Sequence, residues 1–227
     1  MILYTLSAKS AIRQKKSIET EQMNGYNICM EVYVFNSALL AGQEEALLPL
    51  LSPARREKAL RLRMEEARRA SIAAGLMLRR YIGDAPLYFG EHGKPYTGSC
   101  FFSLSHSKER VMLAVSDREL GADTEQETKC RDAVARRIFT AGEYDFMCRE
   151  PDRRFFFLWT RKEAVLKLLG TGFTRRTDDL SVLEDQLFAD GREIFLQTVS
   201  DGGYCYSVAS ETRAPLSLRY IDLSSLL

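Results

Sequence analysis

A chain of 227 residues has room for one large domain or two small ones, and with 45% hydrophobic and 28% charged residues it can bury a core rather than stay disordered. A net charge of +1 excludes a global field that would recruit nucleic acid or a membrane surface, and no apolar run is long enough to span a bilayer. Five scattered cysteines without CxxC spacing and only two histidines argue against a zinc site and read as reduced, cytosolic thiols.

Residues 1–27 differ from the rest. Lys9, Arg13, Lys15 and Lys16 follow a short apolar start, the wrong order for a signal peptide. A poorly ordered extension is expected there, with Met23 as an alternative initiator and the packed fold beginning at Ile28. Residues 28–35, rich in β-branched and aromatic side chains, read as a strand. Ser52-Pro53 is a helix start, serine at the N-cap and proline at the first position. The helix is expected from 53 towards 82 with a break or bend, its apolar stripe formed by Ala59, Leu62, Ala70, Ala74 and Leu78. A loop at 90–98 carries Gly93-Lys94-Pro95, and a short strand at 100–104 ends in Ser105-His106-Ser107. Strands at 111–115 and 120–125 are expected to form a hairpin through the turn at 116–119.

The second half predicts helices at 132–138, 141–148 and 152–169, with Pro151 as a break and Gly170 and Gly172 as the closing signal. Strands at 193–199 and 204–209 flank Asp201-Gly202-Gly203, a hairpin signal, and 216–221 adds a last strand. Helices with a small antiparallel sheet in each half make the fold α+β, with lobes at 28–118 and 119–227.

Asp123 and Glu125 are two apart on a strand and share a face; Glu163 and Lys167 are four apart on a helix and share a face. If the two faces meet, three carboxylates converge beside one cation, a site for a hard divalent metal holding a phosphate. Each pair alone has a plainer explanation. Alternating acids suit a solvated strand edge, and an exposed helix pair stabilises by only about 0.3–0.5 kcal/mol. The apolar block Phe155-Phe156-Phe157-Leu158-Trp159 shifts the balance, because it buries the start of the helix one turn before Glu163. Arg55 and Lys58 either belong to a solvated basic face or clasp a phosphate near a helix N-terminus. Lys94 is a third candidate cation, and His106 is either a structural histidine or a phosphate donor between Ser105 and Ser107.

Phe102-Ser103-Leu104-Ser105-His106-Ser107, Gly121-Ala122-Asp123-Thr124-Glu125 and Trp159-Thr160-Arg161-Lys162-Glu163-Ala164-Val165-Leu166-Lys167 occur in this order, with Ser52-Pro53-Ala54-Arg55-Arg56-Glu57-Lys58 and Gly93-Lys94-Pro95-Tyr96 upstream. Across roughly residues 28–210 this set resembles the surfactin-synthetase type of 4′-phosphopantetheinyl transferase, in the holo-acyl-carrier-protein synthase superfamily. The resemblance implies two α+β lobes related by a pseudo-twofold axis, with coenzyme A in the cleft between them. It implies that Asp123, Glu125 and Glu163 hold Mg²⁺, that Glu163 is also the base, and that Lys167 neutralises the transferred phosphate. Arg55, Lys58, Lys94, Ser105 and His106 are implied nucleotide contacts, with Ser71 of Arg69-Ala70-Ser71-Ile72 a further one. The implied reaction moves the phosphopantetheine arm of coenzyme A to a serine of an acyl or peptidyl carrier protein; the thiols place the chain in the cytoplasm, and paired lobes need no second subunit, so a monomer is expected. The chain departs from the family pattern in carrying Ala122 and Thr124 around the aspartate, and Arg55 where relatives resemble a lysine. Two rivals use the same residues: a Mg²⁺-dependent phosphohydrolase or nuclease, and a nucleic-acid binder led by residues 55–69. The second lacks the exposed aromatics that base stacking needs between 53 and 80.

Overall fold

The computed structural model describes residues 30–84, 86–174 and 176–227. The N-terminal extension at 1–27, the first two residues of the strand at 28–35, Met23 and Cys29 lie outside the described residues. The elements are β1 (Met30–Asn36), α1 (Glu44–Leu47), α2 (Pro53–Leu60), α3 (Glu65–Ile82), β2 (Tyr88–Phe89), β3 (Pro95–Tyr96), β4 (Phe101–Ser107), β5 (Arg110–Ser116), β6 (Leu120–Gln126), α4 (Asp132–Ile138), α5 (Ala141–Cys148), α6 (Pro151–Leu169), β7 (Gln186–Ala189), β8 (Arg192–Asp201), β9 (Tyr204–Ser210) and β10 (Leu218–Ile221). The fold is mixed α+β.

Two four-stranded sheets organise it. The first has the order β10-β1-β5-β4, the second β6-β9-β8-β7, and β2 pairs only with β3. Strand periodicity sorts the side chains of each sheet onto two faces. Tyr33, Phe35, Val111 and Leu113 turn towards α3 and close one core with Ile72, Leu76 and Met77. Val32, Val34, Met112 and Ala114, one step along the same strands, turn the other way and pack on Leu120, Ala122, Tyr206 and Val208 of the second sheet. The far face of the second sheet holds Cys205, Ala209, Ile194 and Leu196 against Phe155, Phe156, Leu158 and Val165 of α6. The layers therefore run α3, first sheet, second sheet, α6.

The expected break in the long helix falls between Leu60 and Glu65, where α2 ends and α3 begins. Ser52 occupies the N-cap of α2, but its side chain makes no capping bond. Residues 70–78 of α3 are buried without interruption, so the helix is wrapped on all sides rather than along a stripe. Gly75 permits this: a Cβ there would lie 2.7 Å from Leu51 Cδ2. Pro151 does not break a pattern; it is the first residue of α6, where a missing N–H is harmless.

The expected hairpin between 111–115 and 120–125 does not form. β5 already has β1 on one edge and β4 on the other, so it has no free edge for β6. The chain crosses instead to the second sheet, where β6 pairs antiparallel with β9. β4 extends to Ser107, so His106 lies inside a strand rather than after its end. The hairpin signal at Gly202-Gly203 joins β8 and β9 in the anticipated way. β10 pairs in parallel with β1, so the last strand of the second half completes the sheet of the first.

Candidate functional site

The site is set by how closely α6 approaches β6. A Cβ on Gly121 would lie 2.0 Å from the Ala164 carbonyl oxygen and 2.4 Å from Leu168 N, so only glycine lets the helix backbone cross the strand here. Asp123 and Glu125 follow Gly121 at two-residue steps and share its face. Glu163 lies on α6 just ahead of that crossing and Lys167 within it.

Lys167 Nζ donates to Asp123 Oδ1 at 2.6 Å and to the Ala122 carbonyl at 3.1 Å. Ser105 Oγ donates to the same Oδ1 at 2.6 Å, while Asp123 Oδ2 is buried with no hydrogen-bond partner. Ser107 Oγ donates to Glu125 Oε2 at 2.7 Å. Burial raises the Glu125 pKa; the Ser107 hydroxyl opposes the rise, Asp123 adds to it, and Arg131 opposes it. The Trp159 indole N–H also bears on this carboxylate, from beyond direct hydrogen-bond contact. Glu163 is lifted to about 7, by burial first and then by the Asp123 charge, with Lys167 opposing and Glu125 adding. A carboxyl in that range exchanges its proton near neutral pH.

Positive groups gather on the β4 side. The His106 pKa is lowered by burial, then by Lys58, Lys167 and Arg55, with Asp123 opposing. Burial also lowers Arg55, and burial together with Arg55 lowers Lys58. Lys58, Lys167 and Arg55 thus all act on His106, next to Asp123. Lys94 stands at the far end of α6, where its Nζ donates to the Leu168 carbonyl at 2.9 Å and lies 5.5 Å from the centre of the Tyr96 ring. Lys94 and Lys167 line one cavity of about 210 Å³, together with Gly93, Phe102, Leu166 and Gly170. The cavity lies beside the acids rather than on them.

The structure seats Lys167 on Asp123 and leaves Glu163 within the field of Asp123 and Glu125, while Lys58, Lys167, Arg55 and Asp123 act on His106. Ser105 arrives as a partner of Asp123, its hydroxyl directed at the carboxylate. Ser71 lies in the buried stretch of α3, its Oγ without a hydrogen-bond partner. Among the described residues, no three His, Cys, Asp or Glu side chains are drawn together as a ligand set. The Lys167 ammonium and the serine hydroxyls occupy the carboxylates instead. The donors still suit a hard divalent cation, being carboxylate oxygens with Asp123 Oδ2 unpartnered.

Several residues escaped sequence reasoning. Arg161 and Lys162 sit inside the same motif as Glu163, yet both are buried anchors. Arg161 donates to the Val182 carbonyl at 2.7 Å, the Glu184 carbonyl at 2.6 Å and Asp185 at 2.9 Å. Lys162 pairs with Glu143 at 2.9 Å, both side chains fully enclosed, and donates to the Thr177 carbonyl at 2.8 Å. Glu143 also closes a capping box with Thr140 at the start of α5 and accepts from Val182 N at 2.8 Å. A lysine and an arginine inside an apolar helix were the available signal, since charges in such a place need partners.

Comparison with known proteins gives the class. The model of the 4′-phosphopantetheinyl transferase superfamily matches residues 119–219. A 4′-phosphopantetheinyl transferase, psf-1, from Bacillus pumilus is 30% identical over 207 residues, 80% of this chain and 87% of its own length. A 4′-phosphopantetheinyl transferase of Bacillus subtilis is 29% identical over 170 residues, 67% of this chain and 76% of its own. The 4′-phosphopantetheinyl transferase AcpT of Salmonella typhi is 39% identical over 116 residues, 45% of this chain and 60% of its own. An α+β chain with these relatives is an enzyme, a transferase. It belongs to the 4′-phosphopantetheinyl transferase superfamily, and its activity is that of a 4′-phosphopantetheinyl transferase.

Proposed function

We propose that the chain transfers the 4′-phosphopantetheine arm of coenzyme A to a serine hydroxyl of an acyl or peptidyl carrier protein, with Mg²⁺, and releases 3′,5′-ADP. The observation that carries this reading is the seat of Glu163 and Lys167 over Asp123, made possible by Gly121. In the reaction the serine Oγ forms a bond to the β-phosphorus, and the bond from that phosphorus to the bridging oxygen of 3′,5′-ADP breaks. Glu163 accepts the hydroxyl proton; a carboxyl held near 7 is well matched to a nucleophile that needs a base. Lys167 places a positive charge where negative charge spreads over the phosphoryl oxygens. Arg55, Lys58 and His106 grip the phosphates at the nucleotide end, and Lys94, on the wall of the neighbouring cavity, is a further cation for them. Ser71 has the weakest support of the nucleotide contacts, because its hydroxyl is enclosed in α3.

Asp123, Glu125 and Glu163 are the residues that would hold Mg²⁺. When bound, the ion supplies charge stabilisation on the phosphoryl oxygens. The pseudo-twofold arrangement of lobes is supported by two four-stranded sheets, the first built on the strands of the first half and completed by β10, each carrying a long helix on its outer face. The chain is proposed to act as a monomer, since a pair of lobes within one chain needs no second subunit to complete a cleft. The cytoplasm is the proposed compartment: Cys100, Cys130, Cys148 and Cys205 are free thiols, and among the described residues no helix is long and apolar enough to cross a membrane.

The test mixes the protein with coenzyme A, Mg²⁺ and an apo carrier protein and measures the intact mass of the carrier. Gain of the arm is expected, and Asp123→Ala should remove it in a protein that stays folded. Hydrolysis of coenzyme A without modification of the carrier would instead favour a phosphohydrolase.

A further inference from the structure

Two edge strands meet at the site. β4 ends the first sheet and β6 ends the second, and no backbone ladder joins them. Serine hydroxyls form the seam instead. Ser103 Oγ accepts from Ala122 N at 2.9 Å and lies 3.4 Å from the Ala122 carbonyl. Ser105 Oγ donates to Asp123 Oδ1 at 2.6 Å. Ser107 Oγ accepts from Gln126 N at 3.1 Å and donates to Glu125 Oε2 at 2.7 Å. Residue numbers rise together along both strands, so the strands run the same way, and each second residue of β4 meets β6.

The two carboxylates on this seam are held unequally. Asp123 has Lys167 as well as Ser105 on the same oxygen. Among the described residues, Ser107 gives Glu125 its one direct side-chain hydrogen bond within 3.5 Å. A hydroxyl has a single proton to donate. In Ser107 that proton goes to the carboxylate, while a lone pair takes the Gln126 N–H. The hydroxyl is therefore fixed by the backbone of the strand that carries Glu125, and it fixes the carboxylate in turn.

We propose that Ser107 is a positioning residue of the transferase: it holds the Glu125 carboxylate in place for the divalent cation, so that cation affinity rather than coenzyme A affinity depends on it. The inference rests on the proposed assignment of the acids to a cation. Partners that orient metal-binding carboxylates typically change metal affinity by about 10–100-fold when removed.

The test titrates Mn²⁺ alone into the full chain and reads the free-ion signal by electron paramagnetic resonance, with far-UV circular dichroism as the check on folding. Ser107→Ala should weaken Mn²⁺ binding about 10-fold, and Ser107→Thr, which keeps the hydroxyl, should restore most of it. In the transfer assay Ser107→Ala should raise the Mg²⁺ concentration for half-maximal rate by a similar factor and leave the KM for coenzyme A at saturating Mg²⁺ unchanged. Ser107→Val differs from Ser107→Thr only in the hydroxyl, so that pair decides the question if Ser107→Ala unfolds. Parent-like Mn²⁺ affinity in Ser107→Ala or Ser107→Val, alongside lost affinity in Glu125→Gln, overturns the role of Ser107 and leaves the cation assignment standing. Parent-like affinity in Glu125→Gln, or no Mn²⁺ binding by the parent chain, overturns the assignment and the inference with it.

Discussion

Glu163 shows what a single residue contributes and what it costs. An ordinary glutamate ionises near 4.5, and this one is held to about 7 by burial and by the Asp123 charge. Between those values the folded chain holds a proton that the unfolded chain has lost. The associated stability is thus full below about pH 4.5 and is lost as pH rises through about 7. In urea melts without added metal, Glu163→Gln should match the parent near pH 4.5 and exceed it at about pH 8. The gain should be on the order of 1–3 kcal/mol, its upper end reduced by solvent screening of a half-buried group. The same variant should lose transfer activity by about 10²–10⁴-fold. A variant that is both active and no more stable at high pH would remove Glu163 from its role. Asp123, Glu125, Glu163 and Lys167 were legible in the sequence because two- and four-residue steps put them on defined faces. Ser105 was read as a nucleotide contact and Ser107 only as a neighbour of His106; their bonds to the acids were not legible, since those partners lie on another strand about eighteen positions away.

The contact of β6 with α6 is the element on which the site depends. Gly121→Ala would push a methyl group into the backbone of α6 at Ala164 and Leu168, and backbone cannot swing aside as a side-chain tip can. We expect a loss of about 1–3 kcal/mol or more in a denaturant melt, and a loss of transfer activity larger than the unfolded fraction explains, because Lys167 is levered away from Asp123. A second expectation concerns the anchor of α6 rather than its reactive face. Lys162→Met leaves Glu143 enclosed without its cation, which should cost about 3–5 kcal/mol in the same melt and loosen the segment at Thr177 and Leu180, whose carbonyls Lys162 holds. Retained stability would mean that the pair is dispensable. Element type was largely readable from periodicity, and α4 and α5 fall at the anticipated residues. Strand partnership was not. A short turn between two apolar runs looks like a hairpin whichever sheet each run joins, and only the occupied edges of β5 sent β6 elsewhere.

At the scale of the whole molecule, the halves are tied together by shared layers and by a returning chain end. Val32 and Val34 of one sheet and Tyr206 and Val208 of the other form a single core. β10 crosses back to pair with β1, Leu226 packs in the first core, and Tyr220 donates to Asp201 at the end of β8. Truncation after Pro215 should therefore lower the melting temperature of the entire chain in one transition rather than two. It should also promote association through the bared edge of β1, measured by calorimetry and by size-exclusion chromatography. Two separated transitions, with the second sheet unaffected, would show the halves to be independent. Apolar periodicity and turn signals along the chain determined that it is α+β and that acids and a lysine share faces, because such patterns depend only on the local repeat of helix and strand; the transferase reading came separately, from the resemblance of its ordered motifs to a family. The tertiary structure alone decided which edges pair, that hydroxyls join β4 to β6, and that Arg161 and Lys162 face inward while Glu163 and Lys167 face the acids. Those outcomes depend on which surfaces remain uncovered once neighbouring elements have packed, and no local repeat records that.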